Sequence, residues 1–302
     1  MVRRTGATGE PEVLVLHRST PGEGFEGDWA WTSPAGCRQP GEAVYPAALR
    51  ELAEEAGIAG PAPWAVDLGG DWACFAVDVP SETVVDLVDP EHDGYAWVGP
   101  EEAVRRIRPV FVARQQARAA AVPRIEPAFR PMTPADLAAL ARWQSAPHVA
   151  PWWDPRGRSE DAVRARYTPR LRGDEPIRMW VVEADGRAVG FIEDYRVRDQ
   201  PDYAAKTRDP DAVGFDYAIG EADLVSRGFG TRMVWEFCRG VLHRDYPDAE
   251  HFLASPSRRN LASLRVLGKC GFTEGLWIAA PRPDEAADTE IVCTLDVRHW
   301  LG

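Results

Sequence analysis

Residues 36–58 read GCRQPGEAVYPAALRELAEEAGI, and this stretch decides the fold of the first half of the chain. Helical geometry places positions i, i+3 and i+4 on one face, so Glu51, Glu54 and Glu55 project together while Leu49, Leu52, Ala53 and Ala56 are free to face a core. Three neighbouring carboxylates repel one another unless a cation lies among them. A hard divalent ion, Mg²⁺ or Mn²⁺, takes oxygen ligands, retains waters and pairs with phosphate, so the cluster points to phosphoanhydride chemistry.

The spacing Gly36-x5-Glu42-x7-Arg50-Glu51-Leu52-x-Glu54-Glu55-x-Gly57-Ile58 resembles the signature of the Nudix hydrolases at every fixed position. A solvated acidic helix would explain the charges but not the glycines and Glu42 at their intervals. The resemblance implies an α/β/α sandwich in which Glu51, Glu54 and Glu55 hold the metal and act in catalysis. Gly36, Glu42, Arg50 and Gly57 then shape the loop and helix. It further implies hydrolysis of a nucleoside diphosphate linked to another group, with an additional carboxylate from a later loop. Glu91 is the candidate, with His92 and Asp93 as competing neighbours.

Working outward, strands are expected at Val13–His17, Trp72–Val79 and Tyr95–Val98, and a glycine-rich loop at Gly22–Gly27. The opening strand has to fit within Met1–Thr5 and is short. Helices follow over Glu101–Arg108 and Phe111–Ala121, after which Pro123 and Pro127 break the pattern. This gives a first domain over 1–122, a linker over 123–127 and a second domain over 128–302. The length of 302 residues suits two domains.

A net charge of −12 argues against a general nucleic-acid binder and suits cationic substrates. The five cysteines are scattered and include no C-x-x-C pair, which indicates neither a disulfide framework nor a zinc site. No apolar run approaches membrane-spanning length and no secretory signal is visible, so the expected location is cytoplasmic, away from membranes.

In the second half, Ala128–Arg130 begins a strand and Thr133 and Pro134 carry the entry signals of a helix. An aromatic loop (Trp143, His148, Trp152, Trp153) precedes a hairpin of Met179–Glu183 and Ala188–Ile192 turning at Asp185-Gly186. After a polar loop over Asp199–Asp211 come a strand at Val213–Ile219, the turn Ser226-Arg227-Gly228-Phe229-Gly230 and a helix over Thr231–Leu242. A strand, a glycine turn and a helix N-terminus together offer unobstructed backbone N–H groups to a diphosphate.

About thirty residues on, Asn260-x2-Ser263-x-Arg265-x3-Lys269-x-Gly271-Phe272 resembles the GCN5-related N-acetyltransferases (GNAT), giving a mixed-sheet second domain and an overall α/β (α+β) fold class. The resemblance implies acetyl-CoA bound by Val225, Arg227, Gly228, Phe229, Gly230 and Thr231, with Asn260 and Ser263 assisting. It also implies a splayed strand pair for the pantetheine arm. His148 to Trp153, Asp209 and Asp216 resemble the aminoglycoside 6'-N-acetyltransferases and siderophore-biosynthesis relatives. There Asp216 would be the amine's base, and Trp152, Trp153, Glu193, Asp194 and Asp209 would line the acceptor pocket. Leu267 stands where those enzymes offer a tyrosine to the leaving thiolate. The chain is thus expected to be bifunctional, acting on nucleotide-type and amine-containing small molecules, with antibiotic resistance as one outcome. The alternative is an acetyltransferase for a siderophore precursor or a protein N-terminus, regulated by a nucleotide-sensing Nudix half.

Overall fold

The computed structural model describes residues 1–20, 25–153, 157–279 and 289–302, so half of the anticipated Gly22–Gly27 loop lies outside the described residues. The chain divides into two compact units, Met1–Arg124 with Arg298–Gly302, and Ile125–Val297. The last five residues, assigned from sequence to the second domain, therefore cluster with the first.

The first unit contains β1 (Val2–Thr5), β2 (Pro11–Arg18), β3 (Trp31–Thr32), α1 (Val44–Ala56), β4 (Trp64–Asp67), β5 (Cys74–Asp78), β6 (His92–Val98), α2 (Pro100–Arg106) and α3 (Val110–Ala120). Its sheet runs β3-β2-β1-β5-β4, with β6 pairing β2. Only β1 and β5 run parallel, which makes the sheet mixed. Residues 13–16 of β2 are buried without alternation because both faces of the sheet are covered. Leu14 and Leu16 pack with Leu52 and Ala56 of α1; Val13 and Val15 pack with Ala103, Ile107 and Ala113 of the α2–α3 layer. That is an α/β/α sandwich. Gly57 ends α1 in the left-handed conformation at φ 64°, donating to Ala53 O.

The second unit contains β7 (Pro127–Pro131), α4 (Leu137–Ser145), α5 (Glu160–Arg172), β8 (Arg178–Ala184), β9 (Arg187–Arg196), α6 (Pro201–Thr207), β10 (Val213–Ile219), α7 (Phe229–Phe237), α8 (His243–Asp245), β11 (His251–Ala254), α9 (Leu261–Lys269), β12 (Thr273–Ala279) and β13 (Thr289–Asp296), the last running on into α10 (Val297–Trp300). Its seven strands run β12-β13-β11-β10-β9-β8-β7, and only β10 and β11 are parallel. Asp185 and Gly186 both take positive φ, as a tight two-residue hairpin requires. Thr133 and Asp136 form a capping box ahead of α4. Among the described residues no helix is long and apolar enough to cross a membrane.

Strand β10 is paired unequally on its two sides. It pairs with β9 along its whole length but with β11 only at Val213↔Phe252 and Gly214↔Leu253. Past Gly214 the parallel pair is open, the splay anticipated from sequence.

Candidate active sites

In the first unit the loop after β3 and the helix α1 are tied together by Arg50. Its guanidinium donates to both Glu42 oxygens at 2.9 Å, to Glu51 and Glu54 at 2.8 Å, and to Cys37 O at 3.0 Å. The Arg50 hydrogen bonds, joined by one from Gln39 N, hold the Glu42 carboxyl down at about 2. Gly36 is required by close approach, since a Cβ there would fall 2.0 Å from the Glu51 carboxyl carbon. Glu55 turns inward, is buried, and accepts from Ala35 N at 2.8 Å. Burial raises its pKa to about 7, and the charges of Glu51 and Glu91 add to the shift.

Glu51, Glu54 and Glu55 all stand on α1, and Glu51 and Glu54 meet at the Arg50 guanidinium. Among the described residues no three His, Cys, Asp or Glu side chains are gathered tightly enough to enclose a metal ion. Arg50 satisfies Glu51 and Glu54, while Glu55 accepts from Ala35 N and feels the Glu51 charge. The donor set nevertheless fits a hard divalent cation. Glu51 and Glu91 both act electrostatically on Glu55, and all three offer the carboxylate oxygens such an ion prefers. Arg18 also acts on Glu55, and Arg18 Nε is buried without a partner among the described residues, a group not singled out from sequence. Neither ring nitrogen of the buried His92 has a partner among those residues either. Asp93 instead bonds His17.

In the second unit Asp216 sits mid-strand on β10, opposite Glu193 of β9. Tyr195, on the same face as Glu193, donates to Asp216 Oδ2 at 3.3 Å. Its ring crosses Gly214, where a Cβ would lie 2.5 Å from the aromatic carbons. Tyr203 stands against Tyr195 with ring centroids 6.1 Å apart, and its hydroxyl contacts Ser255 Oγ at 2.6 Å. Desolvation, reinforced by the Glu193 charge, raises the Asp216 pKa to about 7. Arg170 bonds Glu193 and fixes its position. Tyr195 and Tyr203 were not identified from sequence, and Gly214 entered only as part of the stretch leading to Asp216; a glycine inside a strand was the available signal.

The other expected pocket residues separate. Asp194 alternates to the opposite face from Glu193, is fully buried, and accepts from Arg178, Trp180 and Tyr246 at 2.6–2.9 Å. Its carboxylate is thus held by three donors on the face of β9 opposite Glu193. Asp209 pairs with His251 at 2.7 Å. Trp153 packs on Phe191 of the core at 4.8 Å, and Trp152 closes a short 3₁₀ turn with its side chain half-buried.

The turn before α7 has Ser226 and Gly228 at positive φ (62° and 86°), and Phe229, Gly230 and Thr231 open the helix. Their N–H groups have no intrahelical acceptor, which suits an anion. Val225 donates back to Ala222 O and Arg227 is exposed. Asn260 caps α9 by accepting from Ser263 N at 3.1 Å, and Ser263 Oγ contacts Tyr217 OH at 2.8 Å. Leu267 is fully buried and offers no proton.

Comparison with known proteins shows the same division. Residues 1–119 match the NUDIX domain family and residues 133–279 match an acetyltransferase (GNAT) domain family. An aminoglycoside N(6')-acetyltransferase type 1 of Klebsiella pneumoniae is 27% identical over 157 residues, 51% of this chain and 77% of that protein. A lysine N-acyltransferase of Mycobacterium sp. (strain MCS) is 27% identical over 187 residues, 57% of this chain and 73% of its own length. A solved aminoglycoside acetyltransferase in complex with coenzyme A and kanamycin aligns with a TM-score of 0.51 at 24% identity, covering 58% of this chain and 96% of that one. At that identity the likeness carries the fold alone.

Proposed function

Since the chain joins a Nudix domain to an N-acetyltransferase domain of the GNAT family, two enzyme families in one polypeptide, we propose that it is a bifunctional enzyme. The first domain hydrolyses a nucleoside diphosphate linked to another group; the second transfers acetyl from acetyl-CoA to an amine, an aminoglycoside 6'-amine being the reading best supported. The observation that carries it is Asp216, a desolvated carboxylate with a pKa near 7, facing Glu193 and two tyrosines beside the open strand pair.

Such a carboxylate first attracts a protonated amine and then accepts its proton. The freed nitrogen attacks the thioester carbonyl, the C–S bond breaks, and the thiolate departs. The backbone N–H groups at Gly228–Thr231 hold the coenzyme diphosphate. The buried Leu267 leaves the thiolate to depart unassisted or to be protonated by water, which a thiol pKa near ~8.5 permits.

In the first domain Glu51, Glu54 and Glu55 would hold a divalent cation, which would offset phosphate charge and lower the pKa of a bound water. Arg50 and Glu42 keep the helix and loop in register.

Thiol release from acetyl-CoA is the test for the second domain, with kanamycin, a 6'-hydroxyl analogue, lysine and a ribosomal-protein N-terminal peptide as acceptors. Kanamycin is expected to be turned over and the hydroxyl analogue refused. Turnover of lysine or the peptide alone would transfer the reading to the alternative acceptors. For the first domain, Glu54→Gln is expected to abolish the Mg²⁺-dependent conversion of ADP-ribose and water to AMP and ribose 5-phosphate. The Glu54 side chain is 50% exposed, so the melting temperature should hold; undiminished hydrolysis in the variant would sink the metal assignment.

A further inference from the structure

Three aromatic rings that neither site uses form a corner on the first unit. Trp29 lies 6.2 Å from Trp72 and 6.0 Å from Phe111, and Trp72 and Phe111 are 6.0 Å apart. Trp72 is 50% exposed and Phe111 43%, a large apolar area to leave in water. The rings meet at 33°, 44° and 71°, so they frame an open corner rather than close into a stack. Trp29 itself has φ 71°, a left-handed backbone that is rare for a bulky residue and characteristic of ligand clamps. Its N–H is fixed to Arg108 O at 3.0 Å, which holds the indole against the neighbouring rings.

The backbone connects this corner to the carboxylates. Arg18 N donates to Ala30 O, the residue after Trp29, and on the far side of β2 Arg18 pairs with His92 while Ser19 N donates to Glu91 O. Ala30 and His92, the chain neighbours of Trp29 and Glu91, are therefore separated by two strand spacings, about 10 Å. Between them stands Arg18, its Nε unpartnered among the described residues and its charge felt by Glu55. From Trp29 the chain continues through β3 to Ala35 and Gly36, which touch Glu55 and Glu51. An aromatic corner, then a cation, then a carboxylate cluster is the order in which a nucleotide presents its base, its phosphates and the metal they carry.

We propose that Trp29, Trp72 and Phe111 form a base-stacking subsite that selects a nucleobase-bearing diphosphate for the first domain, with Arg18 receiving the phosphate between base and metal. This rests on the hydrolase reading above and adds what that reading lacks, a part of the substrate that is recognised. Sugar phosphates and inorganic pyrophosphate, which have no π-face, bind weakly at such a site. Aromatic stacking is tolerant among bases, so discrimination falls between base and no base.

The test uses the full chain carrying Glu54→Gln, in which binding is read without turnover, so that a failed hydrolase assignment and a failed stacking site are told apart. ADP is titrated by intrinsic tryptophan fluorescence and calorimetry, with inorganic pyrophosphate and ribose 5-phosphate as base-less probes. Quenching by ADP alone is expected, with affinity reduced about tenfold by Trp72→Ala and largely restored by Trp72→Phe. Equal ADP affinity in Trp72→Ala and Phe111→Ala would overturn the proposal. So would a change in sedimentation of Trp72→Ala with ADP affinity intact, which would make the corner a contact between copies of the chain.

Discussion

In the base's role proposed for it, Asp216 trades stability for chemistry. Its folded pKa of about 7 lies above the usual 3.8, because burial removes water from the charge and Glu193 repels it. A raised carboxylate pKa contributes its full stability below pH ~4 and loses it as pH rises through about 7, so at pH 8 the ionised side chain strains the fold. Asp216→Asn keeps the shape, still accepts from Tyr195, and removes the charge. One substitution therefore has two expected outcomes. The melting temperature at pH 8 should rise by on the order of 3 °C, the shift that about 1 kcal/mol produces in a domain of this size, and the gain should vanish at pH 4. Acetyl transfer should fall by about 10²–10⁴, the range for a lost general base, while the wild-type rate declines about tenfold per unit below pH 7. Thermal melts and a pH–rate profile on both proteins check the pair; a variant that retains full activity would remove Asp216 from the base's role.

At the scale of elements, β10 positions the acceptor site through one omitted side chain. The Tyr195 ring occupies the space above Gly214, and a Cβ there would sit 2.5 Å from it. Gly214→Ala is therefore expected to push the ring off and loosen its bond to Asp216, lowering kcat/KM by up to about 10², the cost of misplacing a catalytic group by an ångström. Steady-state kinetics beside a melt separates this from unfolding, and unchanged kinetics would mean Tyr195 does not orient the base. The strand itself was legible: Val213–Ile219 is the span anticipated from its apolar run. So were the Nudix loop and its Arg50 hub, because a fixed ligand geometry dictates residues at fixed intervals. Glu193 and Asp194 were read together from sequence, whereas adjacent residues on a strand face opposite sides, and sequence alone did not say which side each would take. The helix α5 was overlooked because it buries only Val163 and Tyr167 and carries a proline, leaving little apolar periodicity. The two-residue strand β3 is too short for any pattern, and the corner formed by Trp29, Trp72 and Phe111 joins three elements that no local spacing connects.

At the scale of the molecule, each unit has its own sheet and its own core, and every strand pairing stays within one unit. Two cores of this kind should melt as two transitions, and a ligand should raise only the one whose folded state it binds, by about 2.7 kcal/mol at a hundredfold excess over Kd. Coenzyme A thereby labels the second unit and ADP with Mg²⁺ the first. With the transitions identified, the last residues of the chain supply a decisive case. Leu301 is 7% exposed, and a Cβ placed on Gly302 would meet Ala43 and Pro46 at 3.6 Å at the entry to α1, which counts the tail into the first unit although it comes after the second in sequence. Removing a buried leucine side chain costs at least ~2 kcal/mol. Leu301→Ala is thus predicted to lower the transition that ADP raises, by on the order of 5 °C, and to leave the one that coenzyme A raises in place. Scanning calorimetry of both proteins with each ligand decides it: a shift confined to the coenzyme-sensitive transition would return the tail to the acetyltransferase unit.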